Sequence, residues 1–195
     1  PSQAQSAIQE ISRSSEIDVV IGQLEIPQAV TAAAFRAARQ RGIPTILNPA
    51  PSAPLSVELL QASDWIIPNE SEFADMHPQG LAPITDEVIV QLSQLLKKKI
   101  VVTLGEAGAA YCDNKGHVLR ISARQVMPKD TTGAGDAFVG AFAFGLASTF
   151  NEVHSIMLGC NCASDSVTKF GTQSSYPNHK RALEIVAELI DVEHH

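Results

Sequence analysis

Short apolar runs that alternate with helix-like segments constrain the fold of this chain most strongly. Four runs are rich in Val, Ile and Leu, and they span residues 18–22, 44–48, 64–69 and 100–104. The segments between them are rich in Ala or place apolar residues at helical spacing, as in 27–41 and 84–96. Strands that alternate with helices form a mainly parallel sheet covered by helices. We therefore predict a three-layer α/β/α fold, with residues 1–191 forming a single domain.

Length and charge limit the classes of function. The 195 residues suit one domain. The chain has 14 Lys and Arg against 21 Asp and Glu, a net charge of −7, which argues against binding to nucleic acid or to a membrane surface, because both require excess positive charge. No apolar run approaches the roughly 20 residues that span a bilayer, and the polar N-terminus has no signal-peptide core. We expect a cytoplasmic protein.

The cysteines and terminal histidines indicate no metal centre. Cys112, Cys160 and Cys162 are odd in number and lack the paired spacing of a zinc site, so we predict reduced thiols in a core. Residues 192–195 have the composition of a purification-tag remnant. Their histidines therefore carry no metal argument.

A Gly-rich turn, Asp130-Thr-Thr-Gly-Ala-Gly-Asp-Ala-Phe138, leads into an apolar segment of small residues. Gly133 and Gly135 leave no side chain between main-chain N–H groups and a ligand, and the first N–H groups of a helix attract anions. A carboxylate would repel a bound phosphate, so Asp136 indicates a base that takes a proton from an attacking hydroxyl. From these residues alone, Asp136 as a helix cap remains the alternative.

Two further segments allow more than one interpretation. Asn69 and Glu72 are three residues apart at a predicted helix start, where they can order water around Mg²⁺ or form a capping box, or do both. Gly105 and Gly108 follow a strand and permit close approach of a ligand. They can equally belong to an ordinary turn, because residues 109–113 and 117–121 are typical of a hairpin around 114–116. We expect the lysines of 97–99 to be a solvated helix end.

The Gly-rich turn resembles the C-terminal signature of the ribokinase-like (PfkB) family of sugar and nucleoside kinases. Three more segments are similar to that family, namely Gln23-Leu-Glu25, Asn48-Pro-Ala-Pro51 and Gly171-Thr-Gln-Ser-Ser-Tyr-Pro177. The resemblance implies a Rossmann-like sheet, Asp136 as catalytic base, and an anion hole formed by the main chain of Gly133, Ala134, Gly135 and Asp136. It also implies that Glu25 and Asp136 contact the sugar.

The resemblance further implies sites for ATP and two cations. The nucleotide residues would be Asn69, Thr103, Leu104, Gly105, Glu106, Ala107, Gly108, Gly135 and Asp136, with Glu72 serving the Mg²⁺ that accompanies ATP. An activating K⁺ would take oxygen ligands from Asp130, Thr132, Ser166, Lys169, Gly171 and Ser175. Lys169 would contribute its carbonyl and not its amine.

By resemblance, the chain is expected to phosphorylate the primary hydroxyl of a sugar, with D-ribose favoured over fructose, adenosine or a pyrimidine precursor. The parent protein is expected to be a homodimer with small-molecule partners. The similarity corresponds to the C-terminal part of the family, so we expect the N-terminal strands, the lid and a Gly-Gly-x-x-x-Asn motif to be missing. Open alternatives are a fructokinase or adenosine kinase type, or a noncatalytic nucleotide-binding module. No G-x-G-x-x-G fingerprint supports a dehydrogenase.

Overall fold

The computed structural model describes residues 3–78, 80, 83–113 and 115–192. Within the expected tag remnant, only Val192 belongs to these residues, and 193–195 lie outside them. Asn114, at the predicted hairpin turn, also lies outside the described residues.

The described strands form one six-stranded sheet whose order follows the chain. They are β1 (Val20–Gly22), β2 (Thr45–Leu47), β3 (Trp65–Ile66), β4 (Lys99–Thr103), β5 (Ala109–Cys112) and β6 (Val118–Ile121). The first four strands pair in parallel, as alternation with helices requires. The run at 64–69 yields only a two-residue strand, and Asn69 then forms an isolated bridge with Thr103.

Eight α-helices are described. They are α1 (Gln3–Arg13), α2 (Gln28–Gln40), α3 (Val57–Ala62), α4 (Glu70–Met76), α5 (Asp86–Leu96), α6 (Ala134–Ala147), α7 (Glu152–Ser166) and α8 (His179–Val192). From the sequence alone, residues 158–167 are a helix-like segment. Helix α7 includes most of this segment but starts six residues before it, because the Asn151 side chain accepts the His154 N–H and caps an earlier turn. No helix in the described ranges is long and apolar enough to cross a membrane.

The chain divides into two compact units. Unit 1 comprises Pro1–Thr103 and Ala110–Leu119, and unit 2 comprises Leu104–Ala109 and Arg120–His195. In unit 1, Phe35 and Leu47 are fully buried in a cluster with Leu59. In unit 2, Leu158 and Cys162 pack with Ile185 and Leu189. The assignment of 1–191 to a single domain stays a prediction.

The three cysteines are free and buried, in agreement with the prediction of core thiols. Burial raises the pKa of Cys160 to about 12 and that of Cys162 to about 11. Both thiols therefore stay protonated and unreactive at neutral pH.

Candidate active site

The Gly-rich turn leads into helix α6 as predicted, and Gly133 is the N-cap residue. Gly133 has a φ of 81° and a ψ of 1°, a left-handed conformation that favours glycine. A Cβ there would lie 3.1 Å from the phenol oxygen of Tyr176, a tight contact that a small shift of the Tyr176 side chain would have to relieve. Because Gly133 holds the N-cap position, Asp136 does not cap α6 but lies in its first turn.

The first turn of α6 is exposed on one side. N–H groups at a helix start have no acceptor one turn back, and the helix dipole makes them partly positive. Gly135 and Asp136 are exposed, and a Cβ on Gly135 would meet nothing within 4 Å. The Ala134 N–H donates a hydrogen bond to the Thr131 carbonyl at 3.3 Å. Gly135 is therefore more accessible than Ala134 among the predicted anion-hole amides.

The carboxylate of Asp136 accepts a hydrogen bond from the phenol of Tyr176. Tyr176 is half-buried in the loop before α8, and the same ring lies over Gly133. Burial raises the pKa of Tyr176, and the Asp136 charge and hydrogen bond raise it further, so the phenol stays a donor at neutral pH. Tyr176 belongs to the Gly171–Pro177 segment that resembles the family, but no role was predicted for it.

The residues assigned to K⁺ by resemblance lie in two segments of unit 2 that the structure joins. The Asp130 carboxylate accepts the main-chain N–H of Thr132 at 2.9 Å and that of Gly171 at 3.0 Å. The Thr132 hydroxyl and these two N–H groups lower the pKa of Asp130. The Lys129 N–H also donates to the Val167 carbonyl at 2.7 Å. An ionised carboxylate is thus held against the loop that contains the other expected ligands.

That loop is braced by hydrogen bonds and by an ion-pair network. Ser166 and Ser175 are buried, and the Ser175 hydroxyl donates to the Thr172 carbonyl at 2.6 Å. The Lys169 ammonium pairs with Asp165 at 2.6 Å and donates to the Ser175 carbonyl at 3.3 Å. The oxygen-only donor set suits a hard monovalent cation. The contact between the Lys169 ammonium and the Ser175 carbonyl was not expected from the family resemblance, which assigned only the carbonyl of Lys169 to this site.

In unit 1, Asn69 and Glu72 form the capping box that the sequence left open. The Asn69 side chain accepts the Glu72 N–H at 2.9 Å. The two Glu72 carboxylate oxygens accept the main-chain and side-chain N–H groups of Asn69, each at 2.9 Å. Glu72 is 7% exposed, and burial raises its pKa although the Asn69 hydrogen bond opposes this. A fixed carboxylate of this kind suits Mg²⁺ bound through an ordered water.

Polar residues follow β1, β2 and β3 at the carboxyl edge of the sheet, where α/β folds bind ligands. The Gln23 amide donates to the Asn48 side-chain oxygen at 2.8 Å, and the Asn48 amide donates to the Ile67 carbonyl at 2.9 Å. Asn48 therefore ties three strand ends together, a positioning role that sequence reasoning missed. Glu25, the predicted sugar contact, is exposed in the loop after β1.

The two glycines in the turn after β4, Gly105 and Gly108, differ in the space around them. Gly105 has a φ of 54° and Gly108 a φ of 96°. A Cβ on Gly105 would meet nothing within 4 Å, whereas one on Gly108 would overlap the backbone of Ile121 and Ala123. Gly108 is thus required by packing within unit 2. Gly105 has the open approach that was expected of a nucleotide-binding glycine.

Comparison with known proteins identifies the family of the chain. The sequence pattern of the pfkB family carbohydrate kinases matches residues 3–179. The chain belongs to this family. Its α/β fold, predicted from sequence, is that of ribokinases of known structure.

Individual relatives of this pfkB family chain include a ribokinase of Schizosaccharomyces pombe, 34% identical over 171 residues, which are 85% of this chain and 54% of the relative. A deoxyribokinase of Salmonella typhimurium is 32% identical over 188 residues, 92% of this chain and 60% of the relative. The structure of Arabidopsis thaliana ribokinase complexed with ribose and ATP matches with a TM-score of 0.83 and 27% identity, covering 93% of this chain and 58% of that one. The chain therefore spans little more than half the length of these relatives.

Proposed function

We propose that this chain is the phosphoryl-transfer part of an ATP-dependent sugar kinase that converts D-ribose to ribose 5-phosphate. The observation that carries the proposal is the start of helix α6, where an exposed acidic residue, Asp136, lies in the first turn next to the exposed Gly135. Membership of the pfkB carbohydrate kinases supports it.

The chemistry of the α6 start follows from its charges. The primary hydroxyl of the sugar attacks the terminal phosphorus of ATP, its new O–P bond forms as the bond to the ADP oxygen breaks, and Asp136 takes the hydroxyl proton. The partly positive amides of the first turn, Gly135 foremost, hold the charged phosphoryl oxygens. Tyr176 keeps the Asp136 carboxylate oriented through its hydrogen bond.

Two cations fit the residues present. Glu72 and Asn69 would hold Mg²⁺ through water, and the ion would screen the phosphate charges of ATP. The potassium ligands would be Asp130, Thr132, Ser166, Lys169, Gly171 and Ser175. A cation there would brace the Asp130–Thr132 segment that leads into Gly133.

Ribose as the acceptor is supported by relatives that are named ribokinases and by Gln23 and Glu25 at the carboxyl edge of the sheet. A deoxyribokinase among the relatives makes 2-deoxyribose a second candidate. The two sugars differ by one hydroxyl, and a site built to bind that hydroxyl rejects the analogue that lacks it. Glu25, with an exposed carboxylate, is our candidate for this contact.

The experiment is mass-spectrometric detection of the phosphorylated product. The chain is supplied with ATP, Mg²⁺, K⁺ and, separately, ribose, 2-deoxyribose, fructose or adenosine. Wild type is compared with Asp136→Asn and with a matched control, Glu58→Gln, which also alters an exposed carboxylate in the first turn of a helix.

Ribose 5-phosphate from wild type and Glu58→Gln, but not from Asp136→Asn, is the expected result. Product from another acceptor in place of ribose would assign that acceptor instead. ATP binding without any product would favour the noncatalytic nucleotide-binding module.

A further inference from the structure

A basic cleft lies at the opposite edge of the unit 1 sheet from Asn69 and Glu72. It has a volume of about 470 Å³ and is lined by residues at the amino ends of β2, β3 and β4. Its charged lining comprises Arg39, Asp64, Lys97, Lys98 and Lys99. Four positive side chains and one carboxylate thus line the same cleft, in a chain whose net charge is −7.

Two of these cations are fixed by the fold. Arg39 pairs with Asp64 at 3.0 Å and donates to the Gln61 carbonyl at 2.5 Å. The Lys98 ammonium donates to the Ser63 carbonyl at 2.6 Å. Burial lowers the pKa of Lys98, and the charge of Arg39 lowers it further against the opposing effect of Asp64. The existing partners therefore leave the local potential positive.

Lys97 and Lys99 are the other two cations that line the cleft. Lys97 ends helix α5 in a left-handed conformation and is exposed. The Lys99 ammonium lies 4.7 Å from the centre of the Trp65 ring. The sequence predicted 97–99 as a solvated helix end, and this holds for Lys97 alone, since Lys98 and Lys99 are half-buried.

The lining indicates what chemistry fits the cleft. Trp65 is 4% exposed and covered by Lys99, so it offers no free face on which a nucleobase could stack. What remains is concentrated positive charge with several N–H donors, which suits a compact dianion. The volume is within the range of small-molecule sites, about 300 to 1,000 Å³.

We propose that this cleft binds the phosphoryl group of a small phosphorylated metabolite, at a site separate from the candidate active site. Lys97 and Lys99 contact the phosphoryl oxygens, while Arg39 and Lys98 supply the surrounding positive potential. The proposal is independent of the kinase activity, because every residue involved lies in unit 1 and none belongs to the transfer machinery.

Trp65 is the single tryptophan of the chain, so its fluorescence reports the cleft directly. The test titrates the chain with inorganic phosphate and, separately, with glycerol 3-phosphate at constant ionic strength, and follows Trp65 emission together with calorimetric heat. The variant Lys97→Gln/Lys99→Gln is compared with Lys115→Gln/Lys180→Gln. Each double variant removes two positive charges, and both control lysines are exposed.

Saturable change of Trp65 emission is expected in wild type and control, with binding at least about tenfold weaker in the Lys97/Lys99 variant, which corresponds to about 1.4 kcal/mol. If that variant does not fold by circular dichroism, Lys97→Gln alone replaces it.

No saturable change in wild type, heat without a Trp65 response, or equal weakening in both double variants would overturn the proposal. Tighter binding of glycerol 3-phosphate than of phosphate supports an organic phosphate, and the reverse order would overturn the metabolite in favour of free phosphate.

Discussion

At the residue scale, the Asp136–Tyr176 contact defines the candidate base. The Asp136 carboxylate could be placed from the Gly-rich motif, because a carboxylate beside an anion-binding turn is unusual. Tyr176 could not be placed, since 40 residues separate the two and no local pattern brings them together. Tertiary folding of unit 2 supplies that contact.

We expect Asp136→Asn to lower the pKa of Tyr176. Burial, the Asp136 charge and the hydrogen bond all raise this pKa. The substitution removes the charge and replaces the carboxylate by a neutral amide oxygen, which is a weaker acceptor, while burial remains. The phenolate absorbance is measured against pH in a Tyr111→Phe background, which leaves Tyr176 as the single tyrosine of the chain. Glu58→Gln serves as the control, and an unchanged Tyr176 titration in Asp136→Asn would contradict the contact.

Replacing Gly133 by alanine should lower the unfolding free energy, whereas replacing Gly140 by alanine should raise it. Gly133→Ala forces a left-handed alanine against Tyr176, which costs about 1 to 2 kcal/mol of unfolding free energy. Gly140→Ala is in the interior of α6 with nothing within 4 Å of a new Cβ, and should stabilise by about 0.5 to 1 kcal/mol. Urea unfolding measures both, and equal effects would show that the N-cap geometry is not as described.

At the element scale, helix caps explain both success and failure of prediction. The Asn69–Glu72 spacing predicted the start of α4, because a capping box is a local pattern. Helix α7 was predicted six residues too late, although its first six residues already include three apolar residues at helical spacing, namely Val153, Ile156 and Met157. The cap at Asn151 decided the boundary.

Glu72→Gln separates capping from metal binding. Glutamine keeps one acceptor oxygen for the main-chain N–H of Asn69, but its NH2 group cannot accept the bond that the Asn69 side chain donates to the second carboxylate oxygen. We therefore expect the unfolding free energy to fall by about 1 to 3 kcal/mol. The lost negative charge should weaken the Mg²⁺ dependence of ATP binding, because Mg²⁺ prefers charged oxygen donors and their ordered waters. Calorimetric ATP titrations over a range of Mg²⁺ concentrations provide the measurement. An unaltered Mg²⁺ dependence would leave Glu72 with a capping role alone.

The Asp165 network should stabilise the end of α7 above acidic pH. Burial raises the pKa of Asp165, but the bonds and charges of Lys169 and Arg181 outweigh it and the net pKa is lowered. This stabilisation is present above the unfolded-state pKa of about 3.9 and is lost as pH falls through the folded-state pKa.

Asp165→Asn should therefore cost about 1 to 3 kcal/mol of unfolding free energy at neutral pH, with a smaller difference from wild type in acid. Glu184→Gln is the matched control, since its carboxylate meets Arg181 at 3.1 Å on the exposed side and should change stability by less than about 1 kcal/mol. Denaturant unfolding at neutral and acidic pH provides the data. A cost of Asp165→Asn that is independent of pH would contradict the ionic origin.

At the scale of the whole molecule, the alternation of strands and helices was sufficient to predict the α/β class and the parallel pairing of β1 to β4. The division into two units was not predicted, because each unit joins segments that are distant in sequence. The basic cleft was missed for a related reason. Its lysines are contiguous, but Arg39 and Asp64 reach them only through the fold.

The central claim is that Asp136 acts as a base beside a bound phosphate and not as a binding group. The most direct measurement compares Asp136→Asn with wild type for both ATP binding and phosphoryl transfer to ribose. We predict equal or tighter ATP binding, because a repulsive negative charge is removed, and a loss of transfer of about 10² to 10⁴-fold, typical of a missing general base. Transfer that persists in Asp136→Asn, or ATP binding that is lost in parallel with it, would contradict this account.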